Sequence, residues 1–514
     1  MTRPQSNFDF VDAEFRGLAT LRRLLSQIRQ HGGRAIVHEK LRESKDLLEE
    51  NEDIDETYSD FSGSRTFRLS FFRTPIDTIE KLSLLSDNEL IGYAIIKEDS
   101  FDSKRQRESR IYESVVRCPD APNHFVKREP VSIVRVGKKL FRIRGHLYAQ
   151  QNGTTNCCGH VAVRTVIASA GQREMSYRKM NQILGLPSET RNGGDGIDTA
   201  EMVKILRSAG VRCFVADYRP RKKKALPPAP FQKYVYGSVE SGYPAIISFQ
   251  TRDDPVSFHA IPIFGHTTNC HTWVPSAERS YFRIGGGTKY IPSESWVSMY
   301  VGHDDNWGSN FCIPRHYFQT QHPESENGGS AVPPVECVVH VISTVPKRVR
   351  LSPIRAEVIG ADYLLALRKQ FAKVQKNAWG KRLNKYASQN LLVLRPILIS
   401  PKDYCSHLTR IRDWKHNRID PEIITALEAL PDEKLWMIEL SVPELFSTNF
   451  RKVGEVLVRA ERKLGPDRWK SFLLARLPGY FALRSVIRRG RPRFTFLRAG
   501  ADDHVELFGY EEGG

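Results

Sequence analysis

At 514 residues, with 40% hydrophobic and 26% charged side chains, the chain is long enough for two or three cores, and its balance excludes a disordered or fibrous protein. The net charge of +18 admits an anionic partner. Basic residues are scattered, however, apart from Arg221–Lys224 and the Arg488–Arg493 stretch, and no finger, basic zipper or aromatic RNA-binding signature accompanies them. Nucleic acid is therefore a partner that the sequence admits without favouring it.

The chain reads as four zones. Residues 1–65 open with an amphipathic helix expected from Phe15 to Ile28, then an acidic run, Glu49–Glu56, expected as linker or solvated segment. The opening residues show no apolar stretch behind a basic start, and no apolar run approaches the ~18–20 residues that span a bilayer, so a cytoplasmic protein without membrane contact is expected. Residues 66–146 are β-rich, with strand-like runs at Thr66–Phe72, Tyr93–Lys97, Ile111–Arg117 and Ile133–Ile143, the last folded at a hairpin turn over Val136–Lys139. Residues 147–334 carry the chemistry. Residues 335–514 alternate strand-like runs (Cys337–Ser343, Leu391–Ile399, Leu435–Leu440) with helical ones (Ala361–Tyr386, Lys402–Trp414, Arg451–Lys463), a mixed α/β domain of open role.

The third zone begins with a polar loop, Gln150 to Asn156, that passes through Cys157-Cys158-Gly159 into an apolar helix with Val161, Thr165 and Ala168 at helical spacing. A cysteine there faces the positive end of the helix dipole and free N–H groups, which favour the thiolate and can hold an oxyanion. Gln151, upstream, can add a side-chain donor. The turn Gly193–Asp198 leads into a helix Thr199–Ser208, stopped by Gly210 before a strand Val211–Val215. A further helix is expected at Phe231–Ser241, broken by Gly242-Tyr243-Pro244 before a strand Ala245–Phe249. The next strand, Phe258–Gly265, is apolar except for His259 near its start. A strand at Trp296–Val301 runs into His303-Asp304-Asp305-Asn306. If those two strands are antiparallel, the start of one lies beside the end of the other and His259 meets Asp304. Thiolate, imidazole and orienting carboxylate then come in the order Cys158, His259, Asp304.

Together these residues resemble the papain-like cysteine peptidases, most closely the double-glycine (bacteriocin-processing) branch. The likeness rests on Gln151…Cys158-Gly159…Ala162, the helix ending at Gly210, Gly242-Tyr243-Pro244 and the His259 strand, and it spans about residues 147–318. It implies an α+β fold: a papain-like core, with a Cys-bearing helix packed on an antiparallel sheet bearing His and Asp, between the β-rich N-terminal region and the C-terminal domain. It also implies a cysteine hydrolase acting on a peptide or protein substrate through a thioester, with Cys158 as nucleophile, His259 as base, Asp304 orienting it and Gln151 in the oxyanion hole. No cofactor is implied. The family places an Asp on the strand after the His, whereas Thr272–Glu278 holds none, so Asp305, Glu278 and Asn269 compete with Asp304 for the orienting role, and Cys157 competes with Cys158 for that of nucleophile. Acyl transfer on the same fold and a non-catalytic basic binding scaffold are the competing functions. The Cys/His groupings around Cys157–His160, His266–His271 and His303–His316 lack the paired spacing of a structural zinc site.

Overall fold

The computed structural model describes residues 6–15, 17–104, 107–118, 124–172, 174–186, 196–219, 228–252, 257–269, 289–320, 335–374, 378–412, 416–428, 430–465, 468–488, 491–498 and 505–509. The basic run Arg221–Lys224, the expected turn at Gly193–Asp195, the strand at His271–Val274 and the candidate orienting residue Glu278 lie outside them. The chain divides into two units: residues 1–231, 242–266 and 299–346 form the first, and 232–241, 267–298 and 347–514 the second. Both are mixed α and β with antiparallel sheets.

Among the described residues the first unit holds two large sheets and a separate two-stranded hairpin. Strands β1 (Ala35–Lys40), β2 (Phe61–Phe72), β3 (Leu90–Phe101) and β4 (Glu108–Val116) form an antiparallel meander, and after the hairpin β5 (Val131–Val136) and β6 (Lys139–Arg144) a short β7 (Leu147–Tyr148) joins the edge at β4. One face packs on the helix Ala19–Gln30, which buries Leu21, Leu24, Leu25 and Ile28. The expected single N-terminal helix is thus two, Asn7–Glu14 and Ala19–Gln30, with a break at Gly17, whose φ of 72° suits glycine.

The acidic run is a helix, Lys45–Thr57, and not a linker. Ser44 caps it by accepting from Leu47 N–H, and Leu47, Glu50, Asp53 and Ile54 line its buried face. The carboxylates lie inside because cations meet them there: Glu50 stands 3.3 Å from Lys97 and 3.1 Å from Arg110, and Asp53 is 2.7 Å from Arg178. The pattern hides the helix because two of its four core-facing positions are charged.

The second sheet of this unit comprises β8 (Val211–Asp217), β9 (Ala245–Gln250), β10 (Phe258–Thr268), β11 (Val297–Asp304), β12 (Gly308–Pro314) and β13 (Cys337–Pro346), in the order β12-β11-β10-β9-β13-β8. Helices α1 (Cys158–Ser169), α2 (Tyr177–Leu184) and α3 (Thr199–Ser208) contribute to a core with Val163, Val166, Met180, Ile205, Ile246 and Ile342. Helix α3 begins at Thr199 as expected, and the structure shows its cap: Asp198 accepts from Glu201 N–H at 2.8 Å and Glu201 returns the bond to Asp198 N–H at 2.8 Å.

In the second unit an antiparallel sheet runs through β14 (Val393–Ile399), β15 (Leu435–Ser441), β16 (Gly454–Arg459), β17 (Phe472–Leu477), β18 (Tyr480–Arg488) and β19 (Arg491–Arg498). The segment Arg451–Lys463, expected as a helix, supplies β16. Val456 and Val458 are β-branched, and Glu455, which reads as a solvent-facing charge, is fully buried between Lys452 and Arg476. The expected helix Ala361–Tyr386 is two, Pro353–Val374 and Ala378–Ser388.

Candidate active site

The loop before α1 is pinned before the helix begins. Asn152 Oδ1 accepts from the N–H groups of Thr154 and Thr155 at 2.9 Å and of Asn156 at 3.2 Å, a turn of the kind Asn forms with its own backbone, and Gly153 takes φ 71° within it. Glu50 Oε1 accepts from Asn152 Nδ2 at 2.8 Å and from Asn156 Nδ2 at 3.3 Å, so the buried acidic helix holds the loop from outside.

Cys157 is the N-cap of α1 and Cys158 its first residue, and both are partly exposed. Asn181, on α2, fixes His160: its Oδ1 lies 2.9 Å from His160 Nε2 while its Nδ2 donates to Thr155 O at 3.0 Å. Asn181 Oδ1 can only accept, so Nε2 carries hydrogen and Nδ1 faces Cys157, at 3.3 Å from its sulfur and 3.3 Å from its N–H. The Cys157 thiol is pulled down to about 3. The hydrogen bond from Cys158 contributes most, burial opposes it, and the His160 ring and backbone N–H add to it. Cys158 moves the other way, pushed up by its bond to Cys157 and by burial, against a stabilising hydrogen bond from Ala260 N–H. The pair thus gives up its first proton readily and holds the second between the two sulfurs.

Two glycines shape the space around them. A Cβ on Gly159 would lie 2.6 Å from Ile197 Cγ1, so only glycine lets α1 approach that side chain. Gly196, at φ 72°, covers Cys157 with its Cα, where a Cβ would stand 3.3 Å from the sulfur.

His259 pairs with Phe249 across β9 and β10, next to the Ser248–Ala260 pair. Its strand and β11 are neighbours, and the start of β10 does lie beside the end of β11: His259 Nε2 is 3.4 Å from Asp304 Oδ1 and 3.2 Å from Asp305 Oδ1. The ring is 8% and Asp305 5% exposed. Burial alone would lower the His259 pKa, but the Asp304 and Asp305 carboxylates outweigh it and the Cys157 thiolate adds to them, so it is raised. Burial pushes the Asp305 carboxyl up to about 6.

The two aspartates differ. Asp304 Oδ1 accepts from Asn306 N–H at 2.9 Å and Trp307 N–H at 3.0 Å, closing the turn between β11 and β12. Among the described residues neither carboxylate oxygen of Asp305 has a hydrogen-bond partner, and the backbone carbonyl of Asp305 is held by Tyr148 Oη and Gln150 Nε2, each at 3.2 Å. Gln150 is anchored in turn by accepting from Thr20 Oγ1 and Ile111 N–H. Gln151 is half-buried and makes no hydrogen bond among the described residues. Asn269 belongs to the second unit, whereas His259 belongs to the first.

Cys157, His160 and Asn181 therefore form one cluster, and His259, Asp304 and Asp305 another, with Cys157 within Coulombic range of His259 and Cys158 hydrogen-bonded by the residue after it. Among the described residues the sulfur–imidazole hydrogen bond of this region is that of Cys157 with His160. The sequence reading missed His160 and Asn181. The i,i+3 spacing of Cys157 and His160 was visible, but Asn181 comes from another helix. Among the described residues, no helix is long and apolar enough to cross a membrane. Compared with protein-family models, with curated proteins and with solved structures, the chain matches none of them.

Proposed function

We propose that the protein is a cysteine-dependent hydrolase that cleaves a peptide or other amide bond through a thioester, on a papain-like arrangement of helix and sheet. The observation that carries this reading is the vicinal thiol pair at the start of α1, whose Cys157 sulfur lies 3.3 Å from His160 Nδ1 and whose surroundings lower the Cys157 pKa. A partly exposed thiolate at a helix N-terminus is the setting in which cysteine is nucleophilic.

In this reading the Cys157 thiolate attacks the carbonyl carbon, and the N–H groups opening α1 with the Gln151 amide hold the oxygen as it becomes negative. In its protonated form, which the raised pKa favours, His259 gives its Nδ1 proton to the departing amine, leaving an acyl-thioester. The neutral ring then takes a proton from water as water attacks the thioester, which releases the carboxylic acid and restores the thiolate and the imidazolium. Asp304 and Asp305 orient His259 from the Nε2 side. His160, backed by Asn181, holds the sulfur of Cys157. One observation favours a second assignment, with Cys158 as the attacking sulfur: its hydrogen bond from Ala260 N–H turns it toward the His259 strand.

Limiting haloacetamide, followed by peptide mass spectrometry, tests both assignments. Alkylation concentrates on the pair, ahead of Cys118, Cys213, Cys270, Cys312, Cys337 and Cys405, and its rate is flat from about pH 5 to 8 because the thiolate is already formed. The comparison of Cys157→Ser with Cys158→Ser in a peptide-library cleavage assay identifies the attacking sulfur. Uniform labelling of all the thiols, with a rate that climbs with pH at each, overturns the reading.

A further inference from the structure

The pocket formed by His259, Asp304 and Asp305 is short of hydrogen bonds in a way that a proton relay does not need. Both carboxylate oxygens of Asp305 are buried and, among the described residues, have no hydrogen-bond partner, while His259 Nε2 makes only long contacts, to Asp304 and Asp305. The Nε2–oxygen separations of 3.4 and 3.2 Å exceed the about 2.7–2.9 Å of a charge-assisted N–H···O bond. They equal the spacing of two donors on one tetrahedral ion: ligands about 2.0–2.1 Å from a common zinc lie about 3.3 Å apart. One donor atom from each of the three residues lies within 4.8 Å of the other two.

From this we infer that His259 Nε2, Asp304 and Asp305 form a binding site for a divalent transition-metal ion of the zinc type. The donor set decides the class. Calcium takes six to eight oxygen ligands and magnesium a near-octahedral shell, whereas one imidazole with two carboxylates is a three-ligand zinc set that leaves a fourth position for water or substrate. Charge agrees with geometry, because two carboxylates facing one imidazole leave negative charge that a dication neutralises. The ligands are also rigidly placed: the N–H groups of Asn306 and Trp307 hold Asp304, and Tyr148 and Gln150 hold the Asp305 backbone, as outer partners hold the ligands of a metal. The site rests on this geometry alone and not on the cysteine reading. Within that reading it has one consequence: an ion on Nε2 leaves the ring's single hydrogen on Nδ1, so the loaded His259 cannot accept a proton from water.

The test uses the full chain, stripped with a chelator and titrated with CoCl2, with ZnCl2 as competitor. The expected result is one Co2+ per chain, with the visible ligand-field absorption of a tetrahedral ion and no thiolate-to-cobalt charge-transfer band. Affinity falls by more than about a hundredfold in Asp305→Asn and in His259→Gln, beyond the about 10–100-fold that loss of an outer partner produces. It is unchanged in Cys157→Ser and Cys158→Ser. Asp305→Asn is isosteric, so a wild-type circular dichroism melt of that variant keeps the test valid even where His259→Gln fails to fold. Absence of stoichiometric binding, binding that survives Asp305→Asn, or a charge-transfer band that vanishes with the cysteines overturns the site. Alkylation of the cysteine pair in the presence of chelator reports on the hydrolase reading separately.

Discussion

Both units bury balanced ion pairs, around Glu50 in the first and Glu455 in the second, but the His259 pocket of the first unit is built on the opposite rule. In the second unit Arg395, Lys452 and Arg476 face Glu240, Glu439 and Glu455, three cations against three anions. Arg395 meets Glu439 at 2.7 Å and Glu240 at 2.9 Å, Lys452 meets Glu439 at 2.7 Å, and Arg476 grips Glu455 through two nitrogens at 2.5 and 2.6 Å. Tyr404 Oη and Phe508 N–H fill further acceptor positions on Glu455 and Glu439. In the first unit His259, Asp304 and Asp305 are also buried, though less completely, yet their charges do not balance and, among the described residues, the Asp305 carboxylate has no hydrogen-bond partner. A satisfied network specifies a structure, whereas a buried group left unsatisfied is a reserve held for a ligand or a reaction.

The sharpest way to break this comparison is to remove one member of the satisfied network. Glu455→Ala takes both short bonds from Arg476 in the core and leaves Lys452 with Glu439 alone, and the expected loss is about 3–5 kcal/mol of stability, read as a fall in the urea midpoint. A loss under about 1 kcal/mol would mean that the network contributes no more than surface ion pairs do.

Acid draws the same contrast without mutation. Burial opposes ionisation of Glu455, but Arg476 and Lys452 outweigh it and hold the carboxyl down at about 2, against 4.5 for the ordinary group. A depressed carboxyl pKa stabilises fully above the unfolded value, so this contribution is intact above about pH 4.5 and drains away as the pH falls toward about 2. Urea midpoints measured between pH 5 and 2 should fall through that window in the wild type and more shallowly in Glu455→Gln. Equal slopes would remove Glu455 from the acid response.

How much of this was legible in the sequence follows from which residues break the simple patterns. Helix α3 was legible because the Gly193–Asp198 turn announces its start and Gly210 its end. The strand bearing His259 was legible because a single polar residue interrupts an apolar run. The acidic helix Lys45–Thr57 and strand β16 were not, and for one reason: Glu50, Asp53 and Glu455 are buried charges whose partners, Lys97, Arg110, Arg178, Lys452 and Arg476, mostly lie far away in sequence. Hydrophobic periodicity assigns every such charge to solvent. At the site, the adjacency of Cys157 and Cys158 and the meeting of His259 with the end of β11 could be reasoned from order and strand direction. The division of labour within each pair could not. It depends on which sulfur Nδ1 of His160 faces and on which aspartate the turn employs, and backbone N–H directions of the folded loop decide both.

A smaller effect tests how tightly the thiol pair is seated. Gly159→Ala drives a methyl group to 2.6 Å from Ile197 Cγ1 in a packed core. Overpacking of this kind typically costs about 1–3 kcal/mol, and because α1 must shift to relieve it, haloacetamide labelling of Cys157 should slow in the same variant. Lost stability with unchanged labelling would separate the fold of α1 from the placement of its sulfur.

The smallest expected change in stability is the one that most sharpens the comparison. Asp305→Asn keeps the shape of the side chain and removes a buried carboxylate that nothing hydrogen-bonds, so metal-free protein at neutral pH should hold its urea midpoint or gain up to about 1 kcal/mol. The same change in a balanced network would be damaging, because the partner charges would be left behind. Among the described residues no cation pairs with Asp305 apart from the His259 ring, which keeps Asp304 at 3.4 Å. A variant that is at least as stable as the wild type but impaired in its chemistry is what a residue retained for function, at the expense of the fold, must produce. A loss above about 2 kcal/mol would instead make Asp305 a structural ion-pair partner of His259, and the contrast between the two clusters would collapse.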